Sequence, residues 1–189
     1  MADQLLDDGV REELTVTLDR LEGPVRLLLF TQTHACAACR EQRQLLDELA
    51  GLSDKVSLEV YDLVAEGALA RQYGVSRVPS TAVVGERDYG VRFVGVTTGY
   101  EFPSLLEAIA AVAAGRSGLR AELEELAAMI SEPLHLEVMV TLTCRTARRW
   151  CNSPISWRSP TPTSAPTWST PPSSPTSSRA TRSAACPAP

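Results

Sequence analysis

Two thiols, Cys36 and Cys39, stand two residues apart in the stretch THACAACR. An apolar run of strand length, residues 25–31, comes before them, and a helical alternation of apolar and charged residues follows as far as Gly51. A C-x-x-C pair on the first turn of a helix is suited to thiol–disulfide exchange. The unpaired N–H groups and partial positive charge of a helix N-terminus favour a thiolate at Cys36. Cys39, one turn further in, is near enough to close a disulfide and is expected to be less exposed. Cys36 is therefore the expected attacking thiol and Cys39 the resolving one. The rival chemistry is a metal or iron–sulfur site with His34 as a third ligand. Zinc takes four ligands, and the sequence holds neither a second C-x-x-C nor an H-x-x-x-H spacing. An inert structural pair is the remaining alternative. His34 and Arg40 flank the pair as candidates for tuning the thiolate, and Glu59 is a candidate route for the proton of Cys39.

The elements that would hold this pair follow from periodicity. Leu5, Leu6, Val10, Leu14, Leu18 and Leu21 recur at helical spacing and stop at Gly23-Pro24, which cannot extend a helix. After the strand at 25–31 and the helix behind Cys36, residues 55–63 alternate as a strand. EGALARQYGV reads as a helix closed by Gly74, STAVVG and YGVRFVG as a hairpin, and EFPSLLEAIAAVAAG as a helix ending at Gly115. The order is one helix, then βαβαββα. Val78-Pro79 falls immediately before the hairpin. Tyr73, Tyr89 and Tyr100 are expected to pack against the sheet, and His135 is given no role.

Strand, CAAC, helix and then VSRVPST ahead of a hairpin resemble the thioredoxin/glutaredoxin superfamily. The fold class expected is α/β, a thioredoxin-like unit with an N-terminal helix. The stretches DKVSLEVYDL and YGVRFVGVTTGYEF are more closely similar to the tandem glutaredoxin-like protein disulfide oxidoreductases. The resemblance implies that Pro79 is cis and lies against the sulfurs, and that the backbone of Val78 pairs with an extended substrate segment. It implies a protein-disulfide oxidoreductase with no cofactor, acting on disulfide-containing proteins. Its electron donor would be a thioredoxin-reductase-like flavoprotein or glutathione. An electron relay serving a specific peroxiredoxin or flavoprotein reductase is the alternative. The chain departs from the pattern in the Ala-Ala dipeptide between the cysteines and in Phe30, where thioredoxins carry a buried Asp.

Composition divides the chain. Residues 1–143 hold all 23 acidic residues against 12 Lys plus Arg, a net charge of −11, whereas residues 144–189 hold six Arg and no Lys, Asp or Glu. The acidic body argues against nucleic acid or an anionic membrane surface as partner. No apolar run approaches the roughly 20 residues that span a bilayer. The acidic N-terminus lacks the basic and apolar regions of a secretory signal, so the expected location is the cytoplasm.

A helix over 117–131, Pro133 and a strand over 134–142 repeat the opening of the chain: GPVRLLLFTQTHAC and EPLHLEVMVTLTC share one order of features. Residues 1–116 thus read as a thioredoxin-like redox domain and 117–144 as the start of a second unit. Residues 145–189, rich in Pro, Ser and Thr, read as a disordered tail. One inserted base in the coding sequence lets residues 145–152 become Pro-Tyr-Cys-Pro-Ala-Met-Val-Gln, which turns Cys144 into the first cysteine of CPYCP. The tail is therefore expected to be out of frame, leaving Cys144 without a partner.

Overall fold

The computed structural model describes residues 4–130, 135–139 and 166–169. Helix α1 (Asp8–Asp19) begins where the Asp7 carboxylate accepts the Val10 N–H at 2.9 Å, and it buries Leu14 and Leu18. Strand β1 (Val25–Thr31) carries buried residues on both faces. Leu27 and Leu29 enter one core and Leu28 and Phe30 the other. That double burial explains why the run is apolar without alternation. Helix α2 (Ala37–Ala50) turns Cys39, Gln42, Leu45, Leu46 and Leu49 inward.

Strand β2 (Val56–Asp62), helix α3 (Gly67–Gln72), strands β3 (Ser80–Val84) and β4 (Asp88–Val94), and helix α4 (Phe102–Ala114) complete the predicted βαβαββα order. Helix α4 starts after a short 3₁₀ turn, Gly99–Glu101, and stops at Gly115, which adopts a left-handed φ of 64°. Strand β1 pairs parallel with β2 and antiparallel with β3, and β3 pairs antiparallel with β4. The larger core packs α1, α2 and α4 residues on one face of the sheet, and the smaller one packs Ala70 and Val75 on the other.

Helix α5 (Ala121–Ala128) and strand β5 (Leu136–Met139) occupy the places where the repeat was expected, with shorter bounds. One part of the tail departs from expectation. Pro166–Ser169, inside the segment read as disordered, form strand β6, parallel to both β4 and β5. Composition alone could not show this, because an open sheet edge offers backbone partners to any extended segment regardless of side chain. Among the described residues the sheet runs β2-β1-β3-β4-β6-β5. The β5–β6 pair, with Leu136 opposite Pro166, matches the parallel β1–β2 pair, with Leu27 opposite Leu58. Cys144 lies outside the described residues.

The hairpin meets α4 at Gly85, where an added Cβ would lie 2.8 Å from the Val112 carbonyl oxygen and 2.9 Å from its Cγ1. Backbone cannot yield as a flexible side chain does. Gly85→Ala is therefore expected to destabilise the protein by roughly 1–3 kcal/mol, the usual cost of overpacking. Chemical denaturation checks this, and an unchanged midpoint would show that α4 is not held against the hairpin.

Candidate active site

Strand β1 ends at Thr31, and a short loop carries the chain to Cys36, the N-cap of α2. Ala35, just before it, takes a left-handed φ of 54°, a conformation a non-glycine residue rarely adopts. The loop is fastened at Thr33, whose hydroxyl donates to Asp62 at the end of β2 (3.3 Å). Asp62 also accepts the N–H groups of Val64 and Ala65, and these bonds hold its carboxyl below the ordinary range.

Cys36 and Cys39 form a disulfide with their Cα atoms 5.2 Å apart. The two sulfurs are not equivalent. Cys36 is half-buried and Cys39 is 3% exposed. The Cys39 N–H donates to the Cys36 sulfur at 3.1 Å, so the sulfur fills the place that a Ser or Asp oxygen takes at other helix starts. No acidic residue lies in the first turn of α2.

The antiparallel register places Ser80 opposite Phe30, so β3 begins beside the end of β1 from which the cysteine loop departs. The Val78–Pro79 peptide bond, immediately before β3, is cis. Pro79 is buried, and its carbonyl accepts the Gly95 N–H at 2.8 Å. Val78 is half-buried.

The other predicted residues fare differently. His34 and Arg40 are exposed, and no hydrogen bond or ion pair joins either side chain to the cysteines among the described residues. Glu59 requires correction as a proton route for Cys39. It pairs with Leu28 of β1 and so faces the α3 side of the sheet, opposite α2. There it binds Arg26 at 3.2 Å and accepts the Tyr61 hydroxyl at 2.5 Å, which pushes the tyrosine up from its ordinary value. Period-2 alternation identified the strand but could not say which face Glu59, at its centre, would take. Among the described residues no group of three or more His, Cys, Asp or Glu side chains is placed to hold a metal ion.

Two polar features escaped the sequence reading. Gln42, fully buried, bonds to Thr81 and Thr97. Its signal was present: a polar residue interrupts the apolar stripe of α2 one turn after Cys39. Glu101 is 2% exposed, its Oε1 has no hydrogen-bond partner among the described residues, and burial pushes its carboxyl up to about 7. Nothing in the sequence marked it, since a Glu before a helix commonly faces solvent.

No family model matches the chain. Over 142 residues, however, it is 30% identical to the F subunit of alkyl hydroperoxide reductase from Xanthomonas campestris pv. phaseoli, an alignment covering 75% of this chain and 24% of that protein. The chain thus spans about a quarter of the length of the curated relatives it matches. Among solved structures, a mutant of AhpF, the corresponding alkylhydroperoxide reductase component of Enterococcus faecalis, superposes with a TM-score of 0.70 at 25% identity, covering 87% of this chain and 80% of that one. A protein disulfide oxidoreductase from Aeropyrum pernix superposes with a TM-score of 0.69 at 21% identity, covering 88% and 76%. The chain shares a thioredoxin-like fold with these solved structures. The thioredoxin-like sheet with its flanking helices is what it shares with these proteins.

Because the folded state raises the Glu101 pKa, it favours the protonated carboxyl. The stability this group contributes is fully present below its ordinary value of 4.5 and is lost as pH rises through about 7. Denaturation midpoints followed across that window are expected to fall for the wild type relative to Glu101→Gln, which cannot ionise. Parallel pH profiles for the two proteins would show that the buried carboxyl does not titrate there.

Proposed function

We propose that this chain is a thiol–disulfide oxidoreductase that acts on disulfides of other proteins through Cys36 and Cys39. The observation that carries this is the asymmetry of the pair: a half-buried cysteine whose sulfur is held by a helix N-terminal N–H, bonded to a buried one. Starting from the dithiol, the Cys36 thiolate attacks a substrate disulfide and expels one substrate sulfur as a thiolate, which takes up a proton. A mixed disulfide remains. Cys39, losing its proton, then attacks the Cys36 sulfur and releases the second substrate thiolate. The substrate gains two electrons and the chain is left with the Cys36–Cys39 disulfide, the state of the present structure. The reverse sequence oxidises a substrate dithiol.

Val78 and Pro79 are assigned the substrate-facing edge. The support is their position beside the end of β1, where an extended segment would meet Cys36 as an added strand. A thiol reductant must return the two electrons, and we assign that role to a flavoprotein reductase of the thioredoxin-reductase kind, with two molecules of glutathione as the alternative. The similarity to the alkyl hydroperoxide reductase component favours a second reading, a relay that passes electrons to one fixed peroxiredoxin. No helix among the described residues is long and apolar enough to cross a membrane.

We infer also that residues 1–116 form the redox unit, that 117–144 begin a second one, and that 145–189 are read out of frame. The support is the repeated sequence order. An independent read of the coding DNA across codons 140–150 is expected to show one extra base, and an unbroken frame as printed would refute this.

Cys36→Ser is expected to abolish reduction of insulin disulfides, and Cys39→Ser to accumulate a mixed disulfide visible on a non-reducing gel. Retained insulin reduction by Cys36→Ser would overturn the assignment. Slow insulin turnover beside rapid turnover with a single peroxiredoxin would select the relay.

A further inference from the structure

Helix α2 buries an aliphatic stripe beneath the disulfide, and one position in it is polar. Gln42, one turn beyond Cys39, is 0% exposed and belongs to the same buried set of the helix as Leu45, Leu46 and Leu49. Burying a primary amide there is costly unless each of its polar atoms is satisfied. All are. Its Nε2 donates to the hydroxyls of Thr81 and Thr97, both at 3.0 Å, and its Oε1 accepts the Thr97 backbone N–H at 2.8 Å. Thr81 and Thr97 are themselves buried.

The partners belong to the other half of the site. Thr81 is the second residue of β3, two beyond Pro79. Thr97 lies in the segment after β4, two residues beyond Gly95, whose N–H holds the Pro79 carbonyl. One side chain on the cysteine helix therefore grips the strand that follows Pro79 and the loop that secures Pro79 from behind. A leucine would suit the helix pattern equally well and would make neither link.

We propose that Gln42 is a positioning residue, one that fixes the Val78–Pro79 edge relative to Cys36 and Cys39 so that a bound protein disulfide is aligned for attack. This rests on the reading of that edge as substrate-facing. The Gln42 amide spends its hydrogen bonds on the two threonines and not on the sulfurs, so its effect falls on alignment of the substrate and not on the thiolate. Loss of the network lets β3 shift against α2, and small misplacements of reacting groups reduce rates steeply.

The test compares the full-length chain with Gln42→Leu and Thr81→Val. Two rates are followed in each: kcat/KM for insulin disulfide reduction, and alkylation of reduced Cys36 by iodoacetamide. Thr81→Val keeps the side-chain shape and removes only the link to β3, so it remains informative if Gln42→Leu does not fold. Gln42→Glu, which retains an acceptor for the Thr97 N–H and both threonine hydroxyls, serves as the conservative rescue. Turnover is expected to fall about 10- to 100-fold in Gln42→Leu and in Thr81→Val, to recover in part in Gln42→Glu, and alkylation to stay at the wild-type rate. A purely structural role would lower the melting temperature and leave turnover by the folded variants unchanged, which would overturn the proposal. Alkylation falling in step with turnover would also overturn it, by placing the effect on the thiol. A wild-type chain inert toward insulin would instead sink the oxidoreductase reading and this inference with it, whereas variants matching an active wild type sink the positioning role alone.

Discussion

Everything in the site depends on β1 being paired on both sides and buried on both faces. Its parallel pairing with β2 and antiparallel pairing with β3 bring three chain ends to one end of the sheet: the exit of β1, the exit of β2 and the entry of β3. The cysteine loop leaves the first, Asp62 at the second ties that loop down through Thr33, and Pro79 precedes the third. A one-residue slip of β3 would turn Thr81 to the opposite face and break its bond to Gln42. Register is thus a condition of the chemistry as well as of the fold.

The interior beneath the disulfide is aliphatic except where it is polar for a definable reason. Gln42 has its hydrogen bonds satisfied, and Arg92, buried on the α3 side, is held by the Asp88 carboxylate and the Tyr73 carbonyl. Among the described residues Glu101 and Ser104 depart from this, since Glu101 Oε1 and Ser104 Oγ are buried without a hydrogen-bond partner, and of the two only Glu101 can carry a charge. Keeping it protonated avoids burying a charge, at the expense of making the fold sensitive to pH near neutrality.

Much of this was legible in the residue pattern, for physical reasons that differ by element. The continuous apolar run at 25–31 announced a strand buried on both faces. The C-x-x-C spacing at a helix start announced a pair able to close a disulfide, and the turn residues Gly74 and Gly115 marked helix ends correctly. What could not be read was whatever depends on which face a side chain takes. Glu59 alternates correctly along β2 and still ends up across the sheet from the cysteines, beside Arg26 and Tyr61. The four-residue strand β6 was hidden for a related cause: its partners are the backbones of β4 and β5, and composition carries no record of an available edge. Gln42 lay between these cases, visible as a break in the stripe of α2 but without meaning until Thr81 and Thr97 were placed around it.

Two chemically identical thiols are made unequal here by their positions on one helix turn, and the proposed chemistry stands on that inequality. Limited alkylation of the fully reduced chain with a small reagent near neutral pH, followed by peptide mass mapping, reads it out without any assumption about substrate. Label is expected on Cys36, with Cys39 unmodified. Equal labelling of both residues, or Cys39 reacting first, would refute the division of roles between them.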